Sequence, residues 1–267
     1  MSLNVTVITG ASDGIGAELA RQLARQHGQA IALVLAARSQ DKLAQVAREC
    51  EALGASTLVR VTDVGVEADC RGLIADTITR FGRIDTLVNN AGMSAHALLG
   101  DVQDMGWYED LMRINLWGSA WPTHAALPHL RASRGHIVTV SSLAGLVGVP
   151  GRTAYSATKF AQTGFFESLR VELAPHGVDV TLVYPGVVLT EIRHRGFNAQ
   201  GLAAGKSSLD ERGAMTVQEC VRIMVAGMAR RERDIVMTTK GKLGRWMKLL
   251  APALVDKLAL AALQKDS

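Results

Sequence analysis

Apolar residues along this chain fall into short runs, each bounded by residues that favour turns. The length of the runs and their content of Val, Ile and Leu predict buried strands. The predicted strands lie at residues 4–9, 30–36, 56–61, 86–89, 136–141 and 178–184.

The segments between these strands show helical spacing and contain good helix formers, most clearly at 16–27, 40–53, 67–81 and 155–174. This alternation predicts right-handed crossovers and a parallel sheet covered by helices on both faces. We therefore expect a doubly wound α/β fold in a single domain spanning 1–267. A segment rich in Gly, Ala, Ser and charged residues at about 190–213 predicts a mobile substrate-loop insertion. The residues at about 241–267 predict an amphipathic C-terminal extension.

Composition narrows the classes of partner. Hydrophobic residues make up 48% of the 267 residues and aromatic residues only 4%, which suits an aliphatic core around a parallel sheet. The net charge is +4, yet acidic and basic residues are interspersed through most of the chain, so a nucleic-acid partner is not expected. The local exception is a basic stretch at 222–248.

The cysteines indicate a reducing compartment. Cys50, Cys70 and Cys220 are widely spaced and include no C-x-x-C pair, so neither a disulfide framework nor a metal site is predicted. The chain runs from Met1 directly into the first predicted strand, without the basic and apolar segments of a signal peptide. These features predict a cytoplasmic protein that starts at Met1.

A glycine-rich turn follows the first predicted strand and opens a helix. In it, Gly10 permits a tight turn, Gly14 permits close approach of a pyrophosphate, and Gly16 permits close packing of helix on strand. The helix amides that follow favour an anion. We therefore predict a dinucleotide site, with a plain turn as the alternative. Its predicted cofactor contacts in this turn are Gly10, Ser12, Asp13, Gly14, Ile15 and Gly16.

Residues after the next strands extend this dinucleotide site. Arg38 follows the second strand, where no Asp or Glu is present to bind ribose hydroxyls. A guanidinium suits a 2′-phosphate, which predicts NADP(H) in preference to NAD(H), unless Arg38 is only a surface arginine. After the third strand, Asp63 is placed to accept from the adenine amino group, with Val64 beside it.

The fourth strand is followed by Asn90, Ala91 and Gly92. Small residues here would let the chain pass close to a planar ring or a ribose, although an ordinary turn explains them equally well. We predict that all three contact the cofactor.

Tyr155 and Lys159 lie four residues apart at the start of a predicted helix, so they share one face. A free phenol has a pKa of about 10, too high for ready proton exchange near neutrality, and a nearby lysine cation favours the phenolate. Ser142, after the fifth strand, would hold a substrate oxygen beside the phenol. Asn115, a polar residue in a helical stretch, would bind water that feeds protons to Lys159. Each residue alone is compatible with an ordinary structural role.

Together these motifs resemble the short-chain dehydrogenase/reductase family across nearly the whole chain. The resemblance rests on the glycine turn, the Asn89 to Gly92 segment and the tetrad Asn115, Ser142, Tyr155 and Lys159. It implies a Rossmann fold, a Tyr155 that protonates a carbonyl while the nicotinamide gives hydride, and a Lys159 that also binds the nicotinamide ribose.

The resemblance implies three further properties. The stretch after the sixth strand would hold the nicotinamide amide through Pro185, Gly186, Val188 and Thr190. Asp13 stands where many NADP-dependent relatives have a basic residue, so the coenzyme prediction rests mainly on Arg38. The family usually forms homodimers or homotetramers through the helices that hold Asn115 and Tyr155.

The substrate is predicted to be a small, largely hydrophobic carbonyl or alcohol, because most candidate walls are apolar. Charged residues of the insertion leave an anionic substrate, such as an acyl thioester, as an alternative. The candidate walls are Met93, His96, Leu143, Val149, Pro150 and Tyr184, and the charged insertion residues are Arg193, His194, Arg195 and Lys206.

Two further questions stay open at the level of sequence. A catalytically silent dinucleotide-binding sensor or scaffold on the same fold is the alternative to an enzyme. The amphipathic C-terminal extension would cover the substrate or contact a second subunit, with peripheral contact to a membrane surface as the less favoured option.

Overall fold

Parallel strands form one seven-stranded sheet in the order β3-β2-β1-β4-β5-β6-β7. The computed structural model describes residues 3–205 and 213–266. The strands are β1 (Asn4–Thr9), β2 (Ile31–Ala37), β3 (Ser56–Val61), β4 (Thr86–Asn89), β5 (His136–Val140), β6 (Asp179–Tyr184) and β7 (Asp234–Val236).

Helices follow most strands and return the chain to the start of the next one. They are α1 (Gly14–His27), α2 (Gln40–Ala52), α3 (Glu67–Phe81), α4 (Gly106–Met112), α5 (Gly118–Ser133), α6 (Thr153–Leu173), α7 (Val217–Ala229), α8 (Thr239–Leu250) and α9 (Pro252–Asp266). A π-helical turn, Arg113–Trp117, joins α4 to α5.

Both faces of the sheet are buried. On β2, Leu33 and Leu35 pack with α1 and α2, whereas Ala32 and Val34 pack into the opposite layer with residues of α3, α5 and α6. Side chains alternate between faces along a strand, so each strand supplies both cores. The predicted doubly wound Rossmann fold, with helices on both faces, is confirmed.

The six predicted strands are all present, with bounds that differ by at most one residue from those read in the sequence. β7 was not predicted, because three residues, Asp234–Val236, are too few to show a period. It pairs in parallel with β6.

The sheet order reverses at β1, which lies between β2 and β4. Loops leaving these neighbouring strands diverge and open a crevice at the carboxyl edge, where such folds bind ligands. All the motifs singled out in the sequence as cofactor-binding follow strands at this edge or begin the next helix.

The predicted substrate-loop insertion is described as far as residue 205 and again from 213. Its backbone joins the loop after β4: the Phe197 amide donates to the Ser94 carbonyl at 3.0 Å, and the His96 amide donates to the Phe197 carbonyl at 2.9 Å. Lys206 lies outside the described residues. The mobility of the insertion stays a prediction.

Candidate active site

A cavity of about 530 Å³ lies along the carboxyl edge of the sheet. It runs from the end of β2 to the loop after β6, past the glycine turn and the start of α6. Every predicted cofactor residue lines it except Gly16, which packs beneath the turn. The lining also includes Ser142, Tyr155 and Lys159.

The glycine turn needs its glycines for steric reasons. Gly10 and Gly14 have φ angles of 66° and 54°, in the left-handed region that side chains disfavour. A Cβ on Gly16 would lie 2.3 Å from the Gly10 carbonyl oxygen. The turn can therefore hold the start of α1 directly against the end of β1.

Asn90 stabilises this turn from β4. Its Nδ2 donates to the carbonyl oxygens of Thr9, at 2.9 Å, and Gly10, at 3.2 Å. The backbone amides of Asn90 and Ala91 donate to Thr9 Oγ1 at 3.1 and 3.0 Å. The Asn90 side chain is thus committed to the protein, while Ala91 and Gly92 present backbone to the cavity.

At the adenosine end, Arg38 is exposed and lines the cavity with Ser39 and Lys42. Arg38 makes no hydrogen bond or ion pair with any residue that the structure describes. The carboxylate of Asp13 has partners: its Oδ2 lies 2.7 Å from Arg195 Nη2 and 3.9 Å from Lys42 Nζ. Cations therefore surround this end, and the one acidic group of the turn is already neutralised.

Asp63 is oriented by its own loop. Its Oδ1 accepts from the Gly65 amide at 2.9 Å, and its backbone amide donates to Asp69 Oδ2 at 2.9 Å. The second carboxylate oxygen of Asp63 makes no bond to a described residue and is available to an adenine amino group. Val64 is buried beside Gly118, where a Cβ on that glycine would meet it at 2.9 Å.

Tyr155 and Lys159 lie on the first turns of α6, on one face, as predicted from their spacing. The ammonium nitrogen of Lys159 lies 5.7 Å from the centroid of the Tyr155 ring. It donates to the Val140 carbonyl at 3.0 Å and to Gln162 Oε1 at 2.9 Å. Lys159 is 4% exposed, and burial lowers its pKa from 10.5 to about 7.

Ser142 follows β5 in extended conformation. Its Oγ accepts from the Ala144 amide at 3.2 Å, which orients the hydroxyl at the cavity wall. The hydroxyl proton makes no bond within the described residues, so it can be donated to a substrate oxygen.

Asn115 is fully buried in the π-helical turn. Its Oδ1 accepts from the Met93 amide at 2.8 Å, and its Nδ2 donates to the Met93 carbonyl and to Thr158 Oγ1 at 3.0 and 2.9 Å. Its backbone carbonyl accepts from Ser119 Oγ and from Gln162 Nε2, at 2.9 and 2.7 Å. Asn115 therefore ties the loop after β4 to α6 through protein groups.

Gln162 is the main site residue that sequence reasoning missed. Its fully buried amide joins Lys159 Nζ to the Asn115 carbonyl and also donates to Ser119 Oγ at 2.8 Å. It lies three residues after Lys159 on α6, so the signal was present: a polar residue on the same helix face.

The predicted substrate walls divide into two groups. Met93, Leu143 and Val149 line the cavity, whereas His96 and Pro150 lie outside its lining. Tyr184 was predicted wrongly as a wall: it is 0% exposed in the core between the sheet and α6, where burial raises its pKa to about 12. Its position at the end of β6 pointed to the cavity, but strand alternation turns it to the other face.

The described charged residues of the insertion differ in their contacts and burial. His194 Nδ1 lies 3.2 Å from Glu191 Oε2, and Arg195 pairs with Asp13. Arg193 is buried, donates to the Val188 carbonyl at 2.6 Å and lines the cavity.

Helix α8 of the C-terminal extension packs beside the loop after β5. Arg245 pairs with Asp234 at 2.8 Å, and Lys248 Nζ donates to the Leu146 carbonyl at 3.1 Å. The opposite side of α8 is apolar and exposed, through Leu243, Trp246, Leu249 and Leu250.

Two features are absent from residues 3–205 and 213–266. Within these ranges, no cluster of His, Cys, Asp and Glu side chains has the geometry to hold a metal ion. A helix long and apolar enough to cross a membrane is also not found there.

Comparison with known proteins adds to this geometry. The family model for short chain dehydrogenases matches residues 4–201. The chain is 36% identical over 255 residues to 11-beta-hydroxysteroid dehydrogenase-like 4A of Arabidopsis thaliana, covering 94% of this chain and 82% of the relative. It is 38% identical over 258 residues to 11-beta-hydroxysteroid dehydrogenase A of Sesamum indicum, covering 94% and 73%.

Among solved structures, an alcohol dehydrogenase from the archaeon Thermococcus sibiricus, complexed with 5-hydroxy-NADP, is similar to this chain. The TM-score is 0.75 at 25% sequence identity, over 88% of this chain and 94% of that chain. Sequence and structure comparisons thus agree with the resemblance read from the motifs.

Proposed function

The chain belongs to the short-chain dehydrogenase family and is an oxidoreductase, and we propose that it uses NADP(H) to interconvert a carbonyl and an alcohol on a small, largely hydrophobic substrate. The observation that carries the proposal is the placing of Ser142, Tyr155 and Lys159 on the wall of the same cavity as the glycine turn. A proton donor, a hydroxyl that can bind a substrate oxygen, and the turn proposed to bind the dinucleotide would thereby lie in one cavity.

The residues present fit a nicotinamide dinucleotide. Gly10 and Gly14 of the turn offer backbone without side chains, and α1 begins at Gly14 with amides available to a pyrophosphate. Pro185, Gly186, Val188 and Thr190 line the far end, where the nicotinamide amide would be held. The bound cofactor would supply the hydride chemistry.

Proton transfer is assigned to Tyr155. In the reductive direction its hydroxyl gives a proton to the substrate oxygen, which Ser142 holds through a hydrogen bond. Lys159 has two of its three ammonium protons bound by Val140 and Gln162. The third is left for a ribose hydroxyl.

Gln162 is proposed to position Lys159. Its amide oxygen accepts from the ammonium, while its amide nitrogen is anchored by the Asn115 carbonyl and Ser119 Oγ. Asn115 acts one step further out, because all of its polar atoms are occupied by protein groups. Gln162 bonds Lys159 directly, and a water-mediated relay from Asn115 stays a prediction.

Preference for NADP(H) is supported by the adenosine end of the cavity. Arg38 is without a protein partner among the described residues, and Lys42 lines the same wall. The Asp13 carboxylate, which would repel a phosphate, is neutralised by Arg195 at 2.7 Å. The structural relative from T. sibiricus carries an NADP derivative, which agrees with this preference.

A hydrophobic substrate is supported by Met93, Leu143 and Val149 on the cavity wall. Relatives named as 11-beta-hydroxysteroid dehydrogenases suggest bulky ring ketones and alcohols as first compounds to test. The test is oxidation of NADPH and NADH with steroid, aryl and alkyl ketones, comparing the wild type with Tyr155→Phe. Tyr108→Phe is the control, since that hydroxyl bonds Thr153 Oγ1 outside the cavity lining.

We expect turnover that Tyr155→Phe abolishes and Tyr108→Phe retains. Tight NADPH binding with no turnover of any compound would instead favour a catalytically silent sensor or scaffold.

Homodimers or homotetramers are proposed through α5 and α6. Trp117, 47% exposed, stacks on Trp121 with ring centroids 5.9 Å apart, and Phe165 on α6 is 39% exposed. Exposed aromatic groups of this size favour burial against a partner. Light scattering should therefore give a mass that is a multiple of the chain's, and Trp117→Ser should lower it.

A reducing, cytoplasmic location is proposed from the three free, buried cysteines, and cell fractionation tests it.

The exposed apolar side of α8 is proposed to cover the substrate entrance or to meet a second subunit. Binding of the protein to anionic liposomes would instead favour a peripheral membrane contact.

A further inference from the structure

Arg152 lies directly before α6, against the ring of Tyr155. Its guanidinium carbon is 4.6 Å from the ring centroid. Nε donates to the Ala95 carbonyl at 3.2 Å, and Nη2 donates to Ser94 Oγ at 2.5 Å. These bonds fix a half-buried cation on the cavity wall, beside the side chain assigned to proton transfer.

No carboxylate of the described residues neutralises the charge of Arg152. It forms no ion pair with a carboxylate in residues 3–205 and 213–266. Burial lowers the pKa of Arg152, the Tyr155 side chain raises it, and the like charge of Arg193, which lines the same cavity, lowers it again. A cation removed from water without a counter-ion lowers stability, so a site of this kind gains most from an anionic ligand.

The free N–H groups of Arg152 and the apolar residues near it indicate which kind of anion fits the site. Nη1 of Arg152 makes no hydrogen bond to a described residue, although the planar group is held rigidly by Ala95 and Ser94. A rigid guanidinium edge suits a carboxylate oxygen, while the apolar Met93 and Val149 line the same cavity. An amphipathic molecule with a carbonyl, an apolar body and a carboxylate would meet all three features.

We propose that Arg152 binds a carboxylate group on the substrate, so that the preferred substrates are apolar keto acids or hydroxy acids rather than neutral compounds. This inference rests on the proposed oxidoreductase function, and it narrows the substrate class of the same cavity.

A simpler role for Arg152 is to clamp the loop after β4 onto the start of α6. A clamp would affect all substrates equally, because it acts through the placing of Tyr155. Recognition of a carboxylate would affect only the charged substrate, and this difference is the basis of the test.

The experiment compares kcat/KM for an aromatic keto acid and its methyl ester, in the wild type, Arg152→Gln and Arg152→Lys. Arg25→Gln, an exposed arginine on α1 away from the cavity, is the control. We expect the wild type to prefer the acid over the ester by about 10- to 100-fold, the range for one hydrogen bond to a charged group. Arg152→Gln should lower the acid-to-ester ratio of kcat/KM to near 1, and Arg152→Lys should retain part of the preference.

A second measurement keeps the proposal testable without turnover. Binding of phenylbutyrate and of its methyl ester to the NADPH complex is measured by calorimetry, with NADPH affinity of each variant as the check on folding. Tighter binding of the acid, lost in Arg152→Gln, supports the carboxylate site even if no ketone is reduced, in which case only the oxidoreductase proposal fails. Equal binding of acid and ester, or equal losses for both in Arg152→Gln, would overturn it in favour of the clamp.

Discussion

Lys159 makes the stability of the cofactor-free protein depend on pH in a defined window. The residue is 4% exposed, and burial lowers the pKa of its ammonium group from 10.5 to about 7. Between these values the unfolded chain holds a proton that the folded chain has released, so the free energy of unfolding rises with pH. At about 1.4 kcal/mol per pH unit, the full cost of the buried charge, reached below pH 7, is about 5 kcal/mol.

From pH 6.5 to pH 9 this linkage predicts a rise of about 2.5 kcal/mol in the free energy of unfolding. The other buried base, His136, titrates lower, since burial lowers its pKa from 6.5 to about 4, and its contribution falls mainly below pH 6.5. Burial raises the pKa values of Cys50, Cys70 and Cys220 from 9.0 to about 11, 12 and 12, so these thiols lower the free energy of unfolding as the pH approaches 9. The effect of Lys159 is therefore measured as the difference in slope between wild type and variant.

The assay is urea denaturation of the cofactor-free protein at several pH values between 6.5 and 9, for wild type, Lys159→Met and Lys242→Met. Lys242 is an exposed lysine on α8 and serves as the matched control. We expect the rise with pH to disappear in Lys159→Met and to persist in Lys242→Met. The slope is the readout, because methionine also leaves two hydrogen-bond acceptors without a donor. A wild-type slope in Lys159→Met would refute the assignment.

Three further predictions concern the cofactor and the relay. Gly16→Ala should lower the free energy of unfolding by about 1–3 kcal/mol and weaken NADPH binding, because the added methyl group would lie 2.3 Å from the Gly10 carbonyl oxygen. Urea denaturation measures the first effect and calorimetry the second, and unchanged values would contradict the tight packing. Gln162→Leu should lower kcat by about 10- to 100-fold with NADPH affinity retained, since Lys159 loses its hydrogen bond to the Gln162 amide oxygen. An unaltered kcat in steady-state assays would show that Gln162 has no part in the mechanism. Arg38→Ala should weaken NADPH binding by about 10- to 100-fold and leave NADH binding nearly unchanged; equal losses for the two coenzymes would argue against a 2′-phosphate contact.

The features readable from sequence share a local cause. The strands and the helix spacing around Tyr155 and Lys159 follow from periods of two and 3.6 residues, which neighbouring residues alone determine. The glycine turn is local too, because the left-handed φ angles of Gly10 and Gly14 are a property of a few consecutive residues. Fold class, family and the edge of the sheet that holds the cavity all followed from these patterns.

Other features depended on contacts between distant segments, which no period encodes. Gln162 bonds the Asn115 carbonyl across 47 residues of chain, and Arg195 neutralises Asp13 across 182. The inward orientation of Tyr184 likewise depended on which face of β6 meets α6. The sequence by itself determined which chemical groups stand at the ends of the strands. Only tertiary packing decided which of those groups are already bonded to one another and which remain available to a cofactor or substrate, since hydrogen bonds and burial are set by whichever segments meet in space.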